Sequence, residues 1–162
     1  MTPSLDVVIE TVDVLTDEIV AAVHVLVPQL SSAPLPSRAD LETIVRSDAT
    51  TLFIARDRAS GDAIIGMLTL VMFRIPTGLR AWIEDVVVDR LVHRRGVARA
   101  LSETAIALAQ AAGARTIDLT SRPDRGPANK LYEGIGFRVR ATNVYRYGPP
   151  AAEPPPAEPP PR

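Results

Sequence analysis

One stretch of this 162-residue chain sets chemistry-bearing residues close together. Val86, Val87 and Val88 read as a buried strand, and a short basic connection leads from it through His93, Arg94, Arg95 and Gly96 to Val97, Ala98 and Arg99, where helical spacing begins. The first turn of a helix presents N–H groups without intrahelical acceptors and carries a partial positive charge, so it attracts anions. Gly96 and Ala98 lack bulk there, which lets a ligand approach the backbone, and Arg94, Arg95 and Arg99 add charge. The pattern suits a pyrophosphate. It also fits a turn that Gly96 merely ends, with the arginines as a solvated face, and spacing alone leaves both readings open.

Just upstream, Glu84 and Asp85 are neighbours on the same strand, and strand alternation puts them on opposite faces. Glu84 is then expected to share its face with Trp82, Val86 and Val88. A carboxylate beside an indole and aliphatic side chains is pushed up in pKa, toward proton removal directly or through water. An ordinary ion pair with a nearby arginine is the alternative, and Trp82 itself fits either a pocket wall or the core. His24 falls in a helical stretch and reads as an exposed or satisfied helix histidine. His24 and His93 are the only imidazoles and cysteine is absent, so no metal centre, disulfide or thiol nucleophile is expected.

These residues need a scaffold, and the segments around them alternate. Residues 5–11 read as a strand; Thr16 then caps a helix with Ile19, Val23 and Leu26 on one face, expected to break at Pro28. Ser37 and Asp40 form a capping-box pattern that opens a second short helix through Leu41, Ile44 and Val45. Residues 51–57, 63–73 and 81–89 follow as strands, separated by turn signals at Ser60, Gly61 and Asp62 and at Pro76, Thr77 and Gly78, which makes a meander. From Val97 the apolar positions Leu101, Ala105, Leu108 and Ala112 recur at helical spacing until Gly113 stops the pattern. Residues 116–121 read as a strand. Gly126 and Pro127 open a last helix with Leu131 and Ile135 inward, stopped at Gly136, and residues 137–140 and 143–147 supply a final pair of strands. The sum is a mixed α/β (α+β) domain, one sheet of about seven strands flanked by about four helices. A doubly wound dinucleotide fold is excluded, because no GxGxxG follows a strand.

Composition narrows the function further. Hydrophobic residues make up 46% and charged residues 23%, which fits one compact domain over residues 1–147. Eighteen basic against nineteen acidic residues leave a net charge of −1, so no global field draws the chain to nucleic acid or to an anionic membrane. Nor are aromatic residues interleaved with Arg94, Arg95 and Arg99, as nucleic-acid binding would favour. No apolar run approaches the roughly 18 residues of a membrane span, and the amino terminus lacks a basic region leading into an apolar one, so a soluble, cytoplasmic protein is expected. Residues 148–162 contain eight of the fifteen prolines and, proline aside, no apolar residue larger than alanine. That tail cannot pack a core and is expected to be disordered and extended.

A resemblance joins these observations. The segment His93-Arg-Arg-Gly96-Val-Ala98 resembles the Gln/Arg-x-x-Gly-x-Gly/Ala signature of the GNAT family of N-acetyltransferases. Ala128, Leu131, Tyr132, Gly136 and Phe137 are similar to the family's Ala-x-x-Leu-Tyr-x-x-x-Gly-Phe helix and turn, at the expected distance after the first motif. Residues 142–146 look like the last strand of many small bacterial members. The resemblance covers residues 5–147 and is most specific from Trp82 onward. It implies a mixed, mostly antiparallel sheet that splays between its fourth and fifth strands, with acetyl-CoA in the opening. It further implies pyrophosphate binding by residues 93–99 and oxyanion stabilisation by the backbone of Val86, Val87 and Val88. Tyr132 would protonate the departing thiolate, and Glu84 is similar to the strand glutamate that some members use as a base. His93 stands where the family usually has Gln or Arg, and Arg125 where many members have Asn; Asn129, one turn later, is the substitute candidate for the pantetheine contact. The implied activity is direct acetyl transfer from acetyl-CoA to a primary amine of a small molecule or protein, without a metal, and homodimers are common in the family. The alternative on the same fold is a non-catalytic acyl-CoA-binding or interaction protein, with the Pro-rich tail supplying a partner contact.

Overall fold

The computed structural model describes residues 6–92 and 96–148. Within them the chain runs β1 (Val7–Thr11), α1 (Asp17–Leu30), α2 (Arg38–Val45), β2 (Thr50–Asp57), β3 (Ala63–Ile75), β4 (Gly78–Val88), α3 (Val97–Ala111), β5 (Thr116–Asp118) and α4 (Gly126–Gly134). The strands form one sheet in the order β1-β2-β3-β4-β5, antiparallel except for the parallel pair β4–β5. A parallel neighbour needs a crossover, and α3 supplies it.

Local chemistry starts the first two helices as expected. The Thr16 hydroxyl accepts the Ile19 N–H at 3.3 Å. Ser37 and Asp40 close a reciprocal box, the Ser37 N–H donating to the Asp40 carboxylate at 2.8 Å and the Asp40 N–H to the Ser37 hydroxyl at 3.2 Å. The expected break at Pro28 does not occur, because α1 continues through it to Leu30. A proline removes its own N–H but leaves the bonds of its neighbours possible, and the Ser31 N–H still reaches the Val27 carbonyl at 3.0 Å. The buried face of Ile19, Val23 and Leu26 holds the helix on the sheet while one bond is missing.

Helices cover both faces. Leu52 and Ile54 of β2 pack with Ile19, Val23, Leu26 and Leu41 of α1 and α2, whereas Phe53 and Ala55 pack with Val97, Leu101, Ala105 and Ala109 of α3. This is period-two alternation with each face buried. The buried face of α3 includes Ala109 and not Leu108, which is exposed; steps of four from Val97 continue through the helix instead of shortening.

The sheet has five strands among the described residues, where the sequence suggested about seven. Residues 137–140 and 143–147 form no ladder, and Val139, Val144, Tyr145 and Tyr147 are exposed. Alternating apolar residues need a neighbouring edge to become a strand, and the edge strand β5 is three residues long. Among the described residues no helix is long and apolar enough to cross a membrane. Residues 149–162, which include nearly all of the Pro-rich tail, lie outside the described residues.

Candidate active site

The parallel ladder between β4 and β5 joins Arg80, Ala81 and Trp82 to Thr116, Ile117 and Asp118 and ends there, while β4 runs on to Val88. From Ile83 to Val88 no strand among the described residues lies beside β4 on the β5 side. The resulting cleft has a volume of about 540 Å³. Its floor is Val86, Val87 and Val88; Gly96, Val97, Ala98 and Arg99 enter from the start of α3, Arg125, Leu131 and Tyr132 from α4, and Gln29 and Leu30 from the last turn of α1.

A bulge shapes this floor. Met67 pairs with Val87 and Thr69 with Glu84, so two steps along β3 are matched by three along β4. Asp85 absorbs the extra residue at φ 51°, in the left-handed region that Asp tolerates better than most side chains. The insertion exchanges the faces of β4: Ala81 and Ile83 point to α3 before it, Val86 and Val88 pack on that same side after it, and Val87 turns to the α1 side. Glu84 therefore does not share its face with Val86 and Val88, as unbroken alternation would require. It is exposed, and one of its carboxylate oxygens accepts the Trp82 indole N–H at 2.8 Å. Trp82 is half-buried, and neither residue lines the cleft.

The bulge also sorts the backbone. The Asp89 N–H bonds to the Ile65 carbonyl at 2.8 Å, and a side-chain carbon added at Gly66 would meet the Val87 carbonyl at 3.0 Å, so Val87 and Asp89 direct their peptide groups at β3. Alternation then turns the Val86 peptide toward the cleft.

The cradle at α3 is built from backbone. Gly96 is the N-cap at φ 79° with no side-chain cap, and the helix's first closing bond runs from the Ala100 N–H to the Gly96 carbonyl at 3.0 Å. The N–H groups of Val97, Ala98 and Arg99 precede that bond and have no intrahelical acceptor. A side-chain carbon added at Gly96 would meet nothing within 4 Å, so the space in front of this turn is open. Arg99 donates to Glu103 at 3.0 Å, and its guanidinium lies 3.2 Å from where Gly134 of α4 would carry a side chain, so it bridges the two helices beside the cleft. His93, Arg94 and Arg95 lie outside the described residues.

Tyr132 enters the opposite wall. Its ring packs edge to face on Phe137 at a centroid distance of 6.0 Å. Burial pushes its phenol above the ordinary tyrosine value, while the Arg125 guanidinium pulls weakly the other way. Asn129 stands apart: its amide donates to the Arg122 carbonyl at 3.1 Å and does not line the cleft. His24 bonds through Nε2 to the Pro36 carbonyl at 2.8 Å, away from this site. The sequence reading missed Gln29, Leu30 and Arg90 as cleft residues. The first two were hidden by the helix break assigned to Pro28, and Arg90 carries no signal beyond its charge.

The chain matches the Acetyltransferase (GNAT) family over residues 19–137. No curated protein matches it. Among solved structures it is similar to an acetyltransferase of Trypanosoma brucei, at 23% identity and TM-score 0.69, covering 88% of this chain and 99% of that one. It is also similar to aminoglycoside N-acetyltransferase AAC(6')-Iy in complex with CoA, at 18% identity and TM-score 0.74, covering 92% and 99%. Glucosamine-6-phosphate N-acetyltransferase of Arabidopsis thaliana is similar at 17% identity and TM-score 0.70, covering 87% and 97%. The two motifs, the opening between β4 and β5 and the match over most of the chain agree, and the protein belongs to the GNAT family of acetyltransferases.

Proposed function

We propose that the protein is an acetyl-CoA-dependent N-acetyltransferase that acts on a primary amine of a small molecule or peptide. One observation carries the reading: a single cleft brings together an uncapped helix N-terminus at Gly96 with Arg90, Arg99, Arg125, Val86 and Tyr132. These residues fit acyl-CoA. The first turn of α3 and the arginines would hold the pyrophosphate of acyl-CoA, and the thioester of the same molecule would supply the acetyl group. The solved relative with CoA bound supports that assignment.

The residues divide the chemistry. The amine nitrogen bonds to the thioester carbonyl carbon and the carbon–sulfur bond breaks. A backbone N–H at Val86 stabilises charge on the carbonyl oxygen, and Tyr132 gives its proton to the sulfur. Glu84, held by the Trp82 indole at the edge of the bulge and outside the cleft lining, takes the amine's proton through water. The acceptor is a small or peptide amine, and relatives that acetylate aminoglycosides or glucosamine-6-phosphate support the small-molecule class.

Two measurements test the reading. Acetyl-CoA offered with a panel of peptides, polyamines and aminoglycosides should give CoA thiol release with at least one of them. Tight CoA binding with no acetylation across the panel would favour the non-catalytic alternative. Replacing Gly96 by Asp, which tolerates the left-handed backbone, puts a carboxylate into the open cradle and should weaken CoA binding by about 2 kcal/mol or more. Unchanged affinity by calorimetry in the folded variant would remove the phosphate-cradle reading.

A further inference from the structure

We propose that Gln29 is a positioning residue of this cleft, a latch that fastens the last turn of α1 to the backbone where the β4–α3 connection begins. The proposal rests on the acyl-CoA reading above. The side-chain amide oxygen Oε1 of Gln29 accepts the Arg90 N–H at 2.9 Å, across 61 positions of sequence. Its amide nitrogen donates to the Val25 carbonyl at 3.3 Å, so both ends of the side-chain amide have partners. Gln29 and Arg90 both line the cleft, on the α1 wall and at the end of the Val86–Val88 floor.

The turn that Gln29 holds is compact. The Leu91 N–H bonds to the Asp89 carboxylate at 3.0 Å and the Val92 N–H to the Asp89 carbonyl at 3.0 Å, so Arg90–Val92 closes into one short turn on Asp89. The position of the Arg90 peptide therefore sets the direction in which the chain leaves β4. The latch also gives the continuation of α1 through Pro28 a consequence: a helix that stopped at Pro28 would not deliver Gln29 to Arg90. A latch on the cradle acts on cofactor binding and not on the bonds that change, so its loss should appear as weaker CoA affinity.

Gln29→Leu keeps the bulk and helix propensity of the side chain and removes the acceptor. Calorimetry with CoA should show a Kd raised by about fivefold to tenfold, as for one lost hydrogen bond. Hydrogen exchange followed by NMR should show the Arg90 amide exchanging faster than in the parent, with the melting temperature retained. Gln29→Glu still offers an acceptor, and it should restore slow exchange at Arg90. The latch is overturned if Gln29→Leu binds CoA like the parent, or if Arg90 exchange is the same in all three proteins. If the parent protein binds no CoA, the acyl-CoA reading falls and the latch's role falls with it. If the parent binds and Gln29→Leu binds equally well, only the latch falls.

Discussion

Tyr132 reaches the cleft from α4 with its ring braced on Phe137, and its proton is what the proposed reaction consumes. Burial raises its pKa, so the phenol stays protonated to above about 10. The sign follows for stability too: a raised folded value favours the neutral form, so this contribution is complete below about 10 and is lost as pH rises through the raised value. Tyr132→Phe keeps the packing and removes the proton, and kcat should fall roughly tenfold to a thousandfold with CoA affinity retained. Glu84→Gln should behave differently, losing most rate at lower pH and recovering as pH approaches the amine's own pKa of about 10. Steady-state kinetics across pH separates the two. A Tyr132→Phe variant as fast as the parent would return that residue to packing, and a pH-independent loss in Glu84→Gln would make Glu84 an orienting group.

At the scale of elements, α1 keeps a proline in its last turns because its other interactions outweigh one missing bond. Pro28 offers no N–H to the His24 carbonyl, yet Leu26 is 1% exposed and Gln29 is tied to Arg90. Pro28→Ala should restore the bond at little steric cost and stabilise the protein by about 1 kcal/mol, a gain reduced by the unfolded-state entropy that proline suppresses. A melting temperature higher by roughly 2–4 °C is expected for a domain of this size. A lower one would mean that the helix end needs the fixed φ of proline more than the missing bond. β4 shows the complementary case, in which the bulge at Asp85 costs regular pairing and in return turns the Val86 peptide into the cleft.

For the whole molecule, the two helical layers bury both faces of the sheet between Val7 and Ala111, and the cleft opens where β5 stops following β4. The stabilising burial therefore lies upstream of residue 148. Removing residues 149–162, with their prolines, alanines and few charges, should leave the melting temperature within about 2 °C and CoA affinity unchanged, since they offer little apolar area to bury. Differential scanning fluorimetry and calorimetry on the shortened chain check this. A large loss would show that the Pro-rich end packs on the domain or on a second copy.

What the sequence determined by itself was local. Thr16, Ser37 with Asp40, and Gly96 set helix starts through bonds within a few residues, and the face of Ile19, Val23 and Leu26 followed from the helical period alone. The two motifs around Gly96 and Tyr132 were legible for the same reason, since each lies within one turn and the start of one helix. Tertiary structure decided what depends on register and neighbours. The bulge arises from how β3 and β4 align, and with it the face and exposure of Glu84, which no alternation in β4 could reveal. Residues 137–147 have the pattern of strands without a ladder, because pairing needs an edge and not only a period. Gln29 joined the site only because burial of α1 carried the helix past Pro28, a balance between distant contacts and one absent hydrogen bond.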